Sequence, residues 1–169
     1  MLKGRAFKFG DDISTDHIVP GRLTHLRGNM SELVKHVLED ADTTFAQRVK
    51  KGDLVVGGKN FGLGSSREHA PLVIKMAGVS AVLAKSVARI FFRNAINVGL
   101  PVLICDTDGI KDGDELEVDL KEGRITDLTN GLELRFIGLP DVMLSILNEG
   151  GLVPYIKKHG DLVVEPADK

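Results

Sequence analysis

A chain of 169 residues with 43% apolar residues and a formal net charge of −2 is long enough for one domain with a real core, and its charge argues against nucleic acid as a partner. No run approaches the roughly 18 apolar residues that span a membrane, and no apolar stretch follows Met1-Leu2-Lys3-Gly4-Arg5 as a secretion signal would require. One cysteine, Cys105, excludes an internal disulfide and a self-contained cysteine metal cluster, so the expectation is a single cytoplasmic domain over residues 1–169, with no membrane contact.

Ala6-Phe7-Lys8-Phe9 alternates apolar and polar residues and predicts a first strand. Residues 10–21, with Asp12-Ile13-Ser14-Thr15-Asp16-His17 at their centre, are too polar and too punctuated by Gly and Pro for a regular element. Such density of Asp, Ser and Thr serves ordinary turn chemistry or a site. Residues 22–28 form a second irregular stretch, carrying His25 and Arg27. Asn29 and Glu32 have the spacing of a capping box, and Leu33, Val34, Val37, Leu38 and Ala41 predict one face of a helix, with His36 at its surface.

Leu54-Val55-Val56 reads as a buried strand, and residues 70–77, closed by Gly78, as a helix. Residues 80–84 predict another buried strand, residues 87–98 a helix with Ile90, Phe91, Ala95 and Val98 inward, and residues 101–105 a third strand. This succession predicts parallel pairing through helical crossovers. The last third alternates at 115–120, 124–126 and 132–136 between the turns Asp112-Gly113, Glu122-Gly123 and Asn130-Gly131, predicting an antiparallel meander wet on one face. A short helix over 141–148 and a tail over 150–169 complete one mixed α/β domain.

Between the strand at 54–56 and the following helix lies Gly57-Gly58-Lys59-Asn60-Phe61-Gly62-Leu63-Gly64-Ser65-Ser66-Arg67-Glu68-His69. A glycine-rich turn that becomes a helix N-terminus offers free N–H groups to an anion, and Arg67 adds a two-pronged contact for a carboxylate or phosphate. The dinucleotide fingerprint fails because Arg67 stands where a sixth-place glycine or alanine is needed, and the phosphate loop and the Gly-x-Ser-x-Gly elbow are absent. The bland alternative is that Ser65 and Ser66 only cap the helix.

Asn60-Phe61-Gly62 with Gly64-Ser65-Ser66-Arg67-Glu68-His69 resembles the signature of the aconitase swivelling domain. Residues 84–94 resemble the segment that follows it in that family, and residues 12–20 its opening loop. The resemblance covers roughly residues 5–105 and implies an aconitase-type swivelling domain, a mixed barrel-like sheet with flanking helices. The short chain resembles those members in which this domain is a separate small subunit.

The resemblance implies dehydration and rehydration of a small hydroxy acid, with isopropylmalate of leucine biosynthesis as substrate. Homoaconitate or another 2-alkylmalate is the alternative substrate, and a stand-alone carboxylate-binding domain is the alternative of a different class. Ser65 is implied as the base, with Arg67 as a second catalytic group and Asp16 as a catalytic acid beside the active site that pairs with a group contributed by the partner. Ser66, Arg67, Arg27, Leu26 and His17 are implied substrate contacts. No metal ligand is implied in this chain. A [4Fe-4S] cluster is expected on a large-subunit partner, because clusters take several cysteine thiolates and Cys105 reads as an inert core thiol.

Overall fold

The computed structural model describes residues 1–162, so residues 163–169 of the predicted tail lie outside the described residues. Its centre is one seven-stranded mixed sheet in the order β4-β3-β2-β1-β5-β6-β7. The strands are β1 (Leu2–Lys8), β2 (Leu54–Val56), β3 (Ala81–Ala84), β4 (Val102–Ile104), β5 (Glu115–Asp119), β6 (Arg124–Asp127) and β7 (Glu133–Arg135). β1 to β4 pair in parallel and β1, β5, β6 and β7 antiparallel, as the two halves of the sequence predict. β1 joins the halves, its residues 2–5 facing β5 and its residues 6–8 facing β2. It is therefore longer than the alternation at 6–9 indicated.

Leu54, Val55 and Val56 are fully buried, because a parallel strand in mid-sheet is covered on both faces. Val55 points into a cluster with Phe7, Val82, Val73 and Ile74, on the face covered by α4 (His69–Met76) and α5 (Arg89–Asn97). Leu54 and Val56 point the other way, where Leu83 and Leu103 meet Leu116, Val118, Ile125 and Phe136 of the antiparallel half. The sheet thus wraps round this second cluster. Each such aliphatic side chain contributes about 1.5–3 kcal/mol on burial.

Four expectations need correction. The predicted helix after Asn29 is one turn, α2 (Met30–Leu33), extended by a 3-10 turn to His36. It stops because Val37 is extended and Leu38 takes φ 56°, which lets the Leu38 N–H reach the Ile18 carbonyl at 3.1 Å. Ala41, expected on the buried face, is exposed. Residues 21–28, expected to be irregular, form a 3-10 run, Gly21–Gly28, that packs Leu23 and Leu26 against the first cluster. α5 begins two residues later than predicted, because Ala88 spends its N–H on the Phe61 carbonyl at 2.9 Å, and Ile90 is exposed while Ile96 is buried. Finally, the tail contains a helix, α7 (Leu152–His159), held between Gly151 (φ 132°) and Gly160 (φ 79°). Tyr155 of α7 packs with Ile96 and with Ile146 of α6 (Asp141–Asn148). Two more one-turn helices, α1 (Thr15–Ile18) and α3 (Phe45–Arg48), complete the described elements.

Candidate active site

The three sequence stretches that resemble one family meet at a single loop. On one side, the Asp12 N–H donates to the Lys59 carbonyl at 2.8 Å, the Gly62 N–H to Ile13 at 2.7 Å and the Thr15 N–H to Leu63 at 2.9 Å. On the other, the Phe61 N–H donates to the Ser86 carbonyl at 3.0 Å, and the Asn60 N–H to the Ser86 hydroxyl at 2.8 Å. Gly62 (φ 77°) and Gly64 (φ 108°) take left-handed backbone that a side chain strains. A Cβ on Gly62 would also overlap the Phe91 ring, which itself stands edge-on to Phe61 at 5.4 Å.

This stitching fixes where Ser65 and Ser66 point. Both are exposed, and the Ser65 carbonyl accepts from the Thr15 hydroxyl at 3.0 Å. Neither caps a helix: α4 starts at His69 after Glu68, with no side-chain cap bond. The side chain that meets the Ser65 hydroxyl is a guanidinium. Arg67 Nε donates to Ser65 Oγ at 3.2 Å, Nη1 donates to the Val19 carbonyl at 2.7 Å, and Nη2 forms an ion pair with Asp16. The Arg67 side chain is only 15% exposed against 66% for Asp16, so the arginine is largely buried while its partner carboxylate is open to solvent. Among the described residues Ser65 receives no bond from His69, which removes the geometry of a serine hydrolase relay.

A cleft of about 230 Å³ opens over this group. Thr15, Ser65, Ser66 and Arg67 line one wall; Arg89, Ile90, Phe91 and Asn94 of α5 line the other. Sequence reasoning passed over Arg89 and Asn94. The available signal was Asn94, a polar residue on the inward stripe of Phe91, Ala95 and Val98.

Asp16 belongs to the cleft through Arg67. His17 is committed elsewhere: its Nδ1 accepts from the Ser14 N–H at 2.9 Å, while the Ser14 hydroxyl accepts from the His17 N–H at 3.2 Å. That reciprocal pair caps α1, and His17 lines a separate cleft of about 630 Å³ together with Asp11 and Asp12. Leu26 is partly buried against the core and Arg27 is exposed; neither lines the serine cleft. Cys105 is buried at the end of β4, and burial pushes its thiol up to about 11, with Asp106 adding to the rise.

A model of the aconitase C-terminal domain matches residues 14–106. A protein of Archaeoglobus fulgidus called 3-isopropylmalate dehydratase small subunit 2 is 68% identical over 163 residues, covering 96% of this chain and 99% of that one. A Thermotoga maritima 3-isopropylmalate dehydratase small subunit 1 is 62% identical, with 95% and 97% covered. An isopropylmalate/citramalate isomerase small subunit of Methanocaldococcus jannaschii is 52% identical, with 94% and 95% covered. The crystal structure of a 3-isopropylmalate dehydratase from that organism superposes with a TM-score of 0.89 at 48% identity, covering 94% of this chain and 95% of that one.

Proposed function

The chain belongs to the aconitase C-terminal domain family, and from that premise we propose that it is the small subunit of a 3-isopropylmalate dehydratase. As such it is one part of a hydro-lyase that interconverts 2- and 3-isopropylmalate in leucine biosynthesis, and it works with a large subunit. The observation that carries the chemistry is the Arg67 guanidinium, held between Asp16 and Val19 and donating to the Ser65 hydroxyl.

Ser65 takes the proton from the carbon next to a substrate carboxylate. A neutral serine is a poor base, so the serine oxygen needs a cation and a donor already in place as it gains negative charge. Arg67 supplies both, and its attachment to Val19 and Asp16 means that it does not reorganise when the proton moves. Of the five N–H groups on a guanidinium, three are engaged in these contacts, and the remainder face a substrate carboxylate together with the Ser66 hydroxyl. Leu26 and Arg27, on the 3-10 run, and His17, on the separate cleft, lie off the serine cleft, and substrate contact by any of them requires the seated partner to bring the substrate to them. Leu26 then offers apolar contact to the isopropyl group and Arg27 a second charge.

The residues here do not suit a cluster, since this chain has one cysteine and its thiol is held protonated by burial. A [4Fe-4S] cluster on the large subunit supplies the Lewis acid for the departing hydroxyl. We read the described residues as one domain of a cytoplasmic enzyme. No helix among the described residues is long and apolar enough to cross a membrane.

A second reading, a broader 2-alkylmalate dehydratase subunit, is favoured by the relative whose name includes citramalate. Anaerobic reconstitution with the cluster-bearing large subunit of the same organism, assayed on isopropylmalate, citramalate and homoaconitate, tests both. Turnover only in the mixture with isopropylmalate preferred supports the first reading, and preference for another acid supports the second. No turnover on any acid leaves a carboxylate-binding domain as the better account.

A further inference from the structure

Arg67 carries positive charge into the serine cleft, but that charge is already balanced by Asp16, and three of its donors are occupied. A hydroxy diacid brings two carboxylates. The opposite wall offers what Arg67 lacks. Arg89, at the first turn of α5, lines the same cleft as Ser65 and Ser66 and forms no hydrogen bond or ion pair among the described residues. Asn94, further along α5, lines the cleft too, and its amide likewise has no partner among the described residues. Arg22, Arg48 and Lys85, by contrast, are paired with Asp40, Asp42 and Asp108.

We propose that Arg89, assisted by the Asn94 amide, binds one carboxylate of the hydroxy-acid substrate across the cleft from Ser65. An uncommitted guanidinium can meet a carboxylate with two parallel N–H bonds, and the Asn94 side chain can donate to the oxygen that turns toward α5. The substrate is then gripped from both walls, with its acidic carbon presented to Ser65. Arg89 is a binding residue in this scheme and takes no part in proton transfer. The apolar Ile90 beside it is exposed at the same mouth, suited to the alkyl group between the carboxylates.

This inference rests on the dehydratase reading, and the test separates the two. In the reconstituted complex, the wild-type chain is first shown to turn over isopropylmalate; failure there counts against the dehydratase reading itself. Given an active wild type, Arg89→Gln should raise KM for isopropylmalate by about ten- to a hundredfold while kcat changes little, because a charge-assisted hydrogen bond is lost equally in ground and transition states. Arg89→Lys should recover part of the loss, and Asn94→Ala should raise KM by a smaller factor. Arg89 is exposed, so its variants are expected to fold, and their melting temperatures check this. Each KM is measured at saturating large subunit. An unchanged KM in Arg89→Gln, or a rise that vanishes as large subunit is added, overturns the proposal; the latter would place Arg89 in subunit docking.

Discussion

Arg67 shows how much of this site depends on one side chain being held from several directions. A lysine in its place would bring a single point charge that cannot reach the Ser65 hydroxyl, the Val19 carbonyl and Asp16 together. We expect Arg67→Lys to lower kcat in the assembled enzyme by about a hundredfold or more, as loss of a charge-stabilising donor does elsewhere. Cys105 provides a contrasting residue-scale prediction. Burial lifts its thiol to about 11, so at neutral pH it is almost entirely protonated and shielded. Alkylating reagents should leave it unmodified in the folded chain and label it after denaturation, as mass spectrometry would read. Rapid labelling of the native chain would contradict the assignment of an inert core thiol. At this scale the sequence was informative about identity and silent about pairing. Ser65, Ser66 and Arg67 stand together in the chain, but the Asp16–Arg67 contact joins distant segments and no local pattern announces it.

At the scale of elements, the serine loop owes its shape to what flanks it. Gly62→Ala would combine left-handed backbone with overlap of the Phe91 ring, costing about 2–5 kcal/mol of stability and displacing Ser65. A lowered melting temperature with loss of activity is the expected outcome, read by thermal unfolding and assay. The parallel strands and the meander were legible because burial on two faces gives unbroken apolar runs and burial on one face gives alternation. The helix after Asn29 was misread because its end is set from outside, by the Ile18 carbonyl that takes the Leu38 N–H. α7 was missed although Gly151 and Gly160 frame it and Lys157, Lys158 and His159 suit its last turn.

The meander carries a pH dependence of its own. Asp127, at the end of β6, is buried; its Oδ1 accepts from the Thr129 N–H at 2.9 Å, while its Oδ2 has no conventional partner among the described residues. Burial first, and then the neighbouring Asp114, raise its pKa above the usual carboxylate value. A carboxyl whose pKa is higher folded than unfolded adds stability that is full below the unfolded value and is lost as pH rises through the folded one. The chain should therefore be relatively destabilised on the alkaline side of the raised Asp127 pKa. Asp127→Asn keeps the shape, supplies an N–H toward Asp114 and should raise the melting temperature at neutral pH. Equal melting temperatures for the two proteins across the acidic and neutral range would contradict this.

For the whole molecule, the consequence of the site is incompleteness. The cleft faces outward with Ser65, Ser66, Arg89 and Ile90 exposed, and in the proposed scheme Ser65 moves the proton while the departing hydroxyl relies on a Lewis acid from the partner. The free chain should thus show no turnover at any concentration, whereas the assembled enzyme should be fully dependent on it. The most direct measurement is a comparison of wild-type and Ser65→Ala chains, each saturated with the large subunit, for turnover of isopropylmalate and for substrate affinity. Ser65 as base predicts that the substitution lowers kcat by at least about 10²–10⁴-fold while the substrate dissociation constant changes by less than about tenfold. A Ser65→Ala enzyme that retains turnover, or one that loses binding in proportion to rate, would contradict the account.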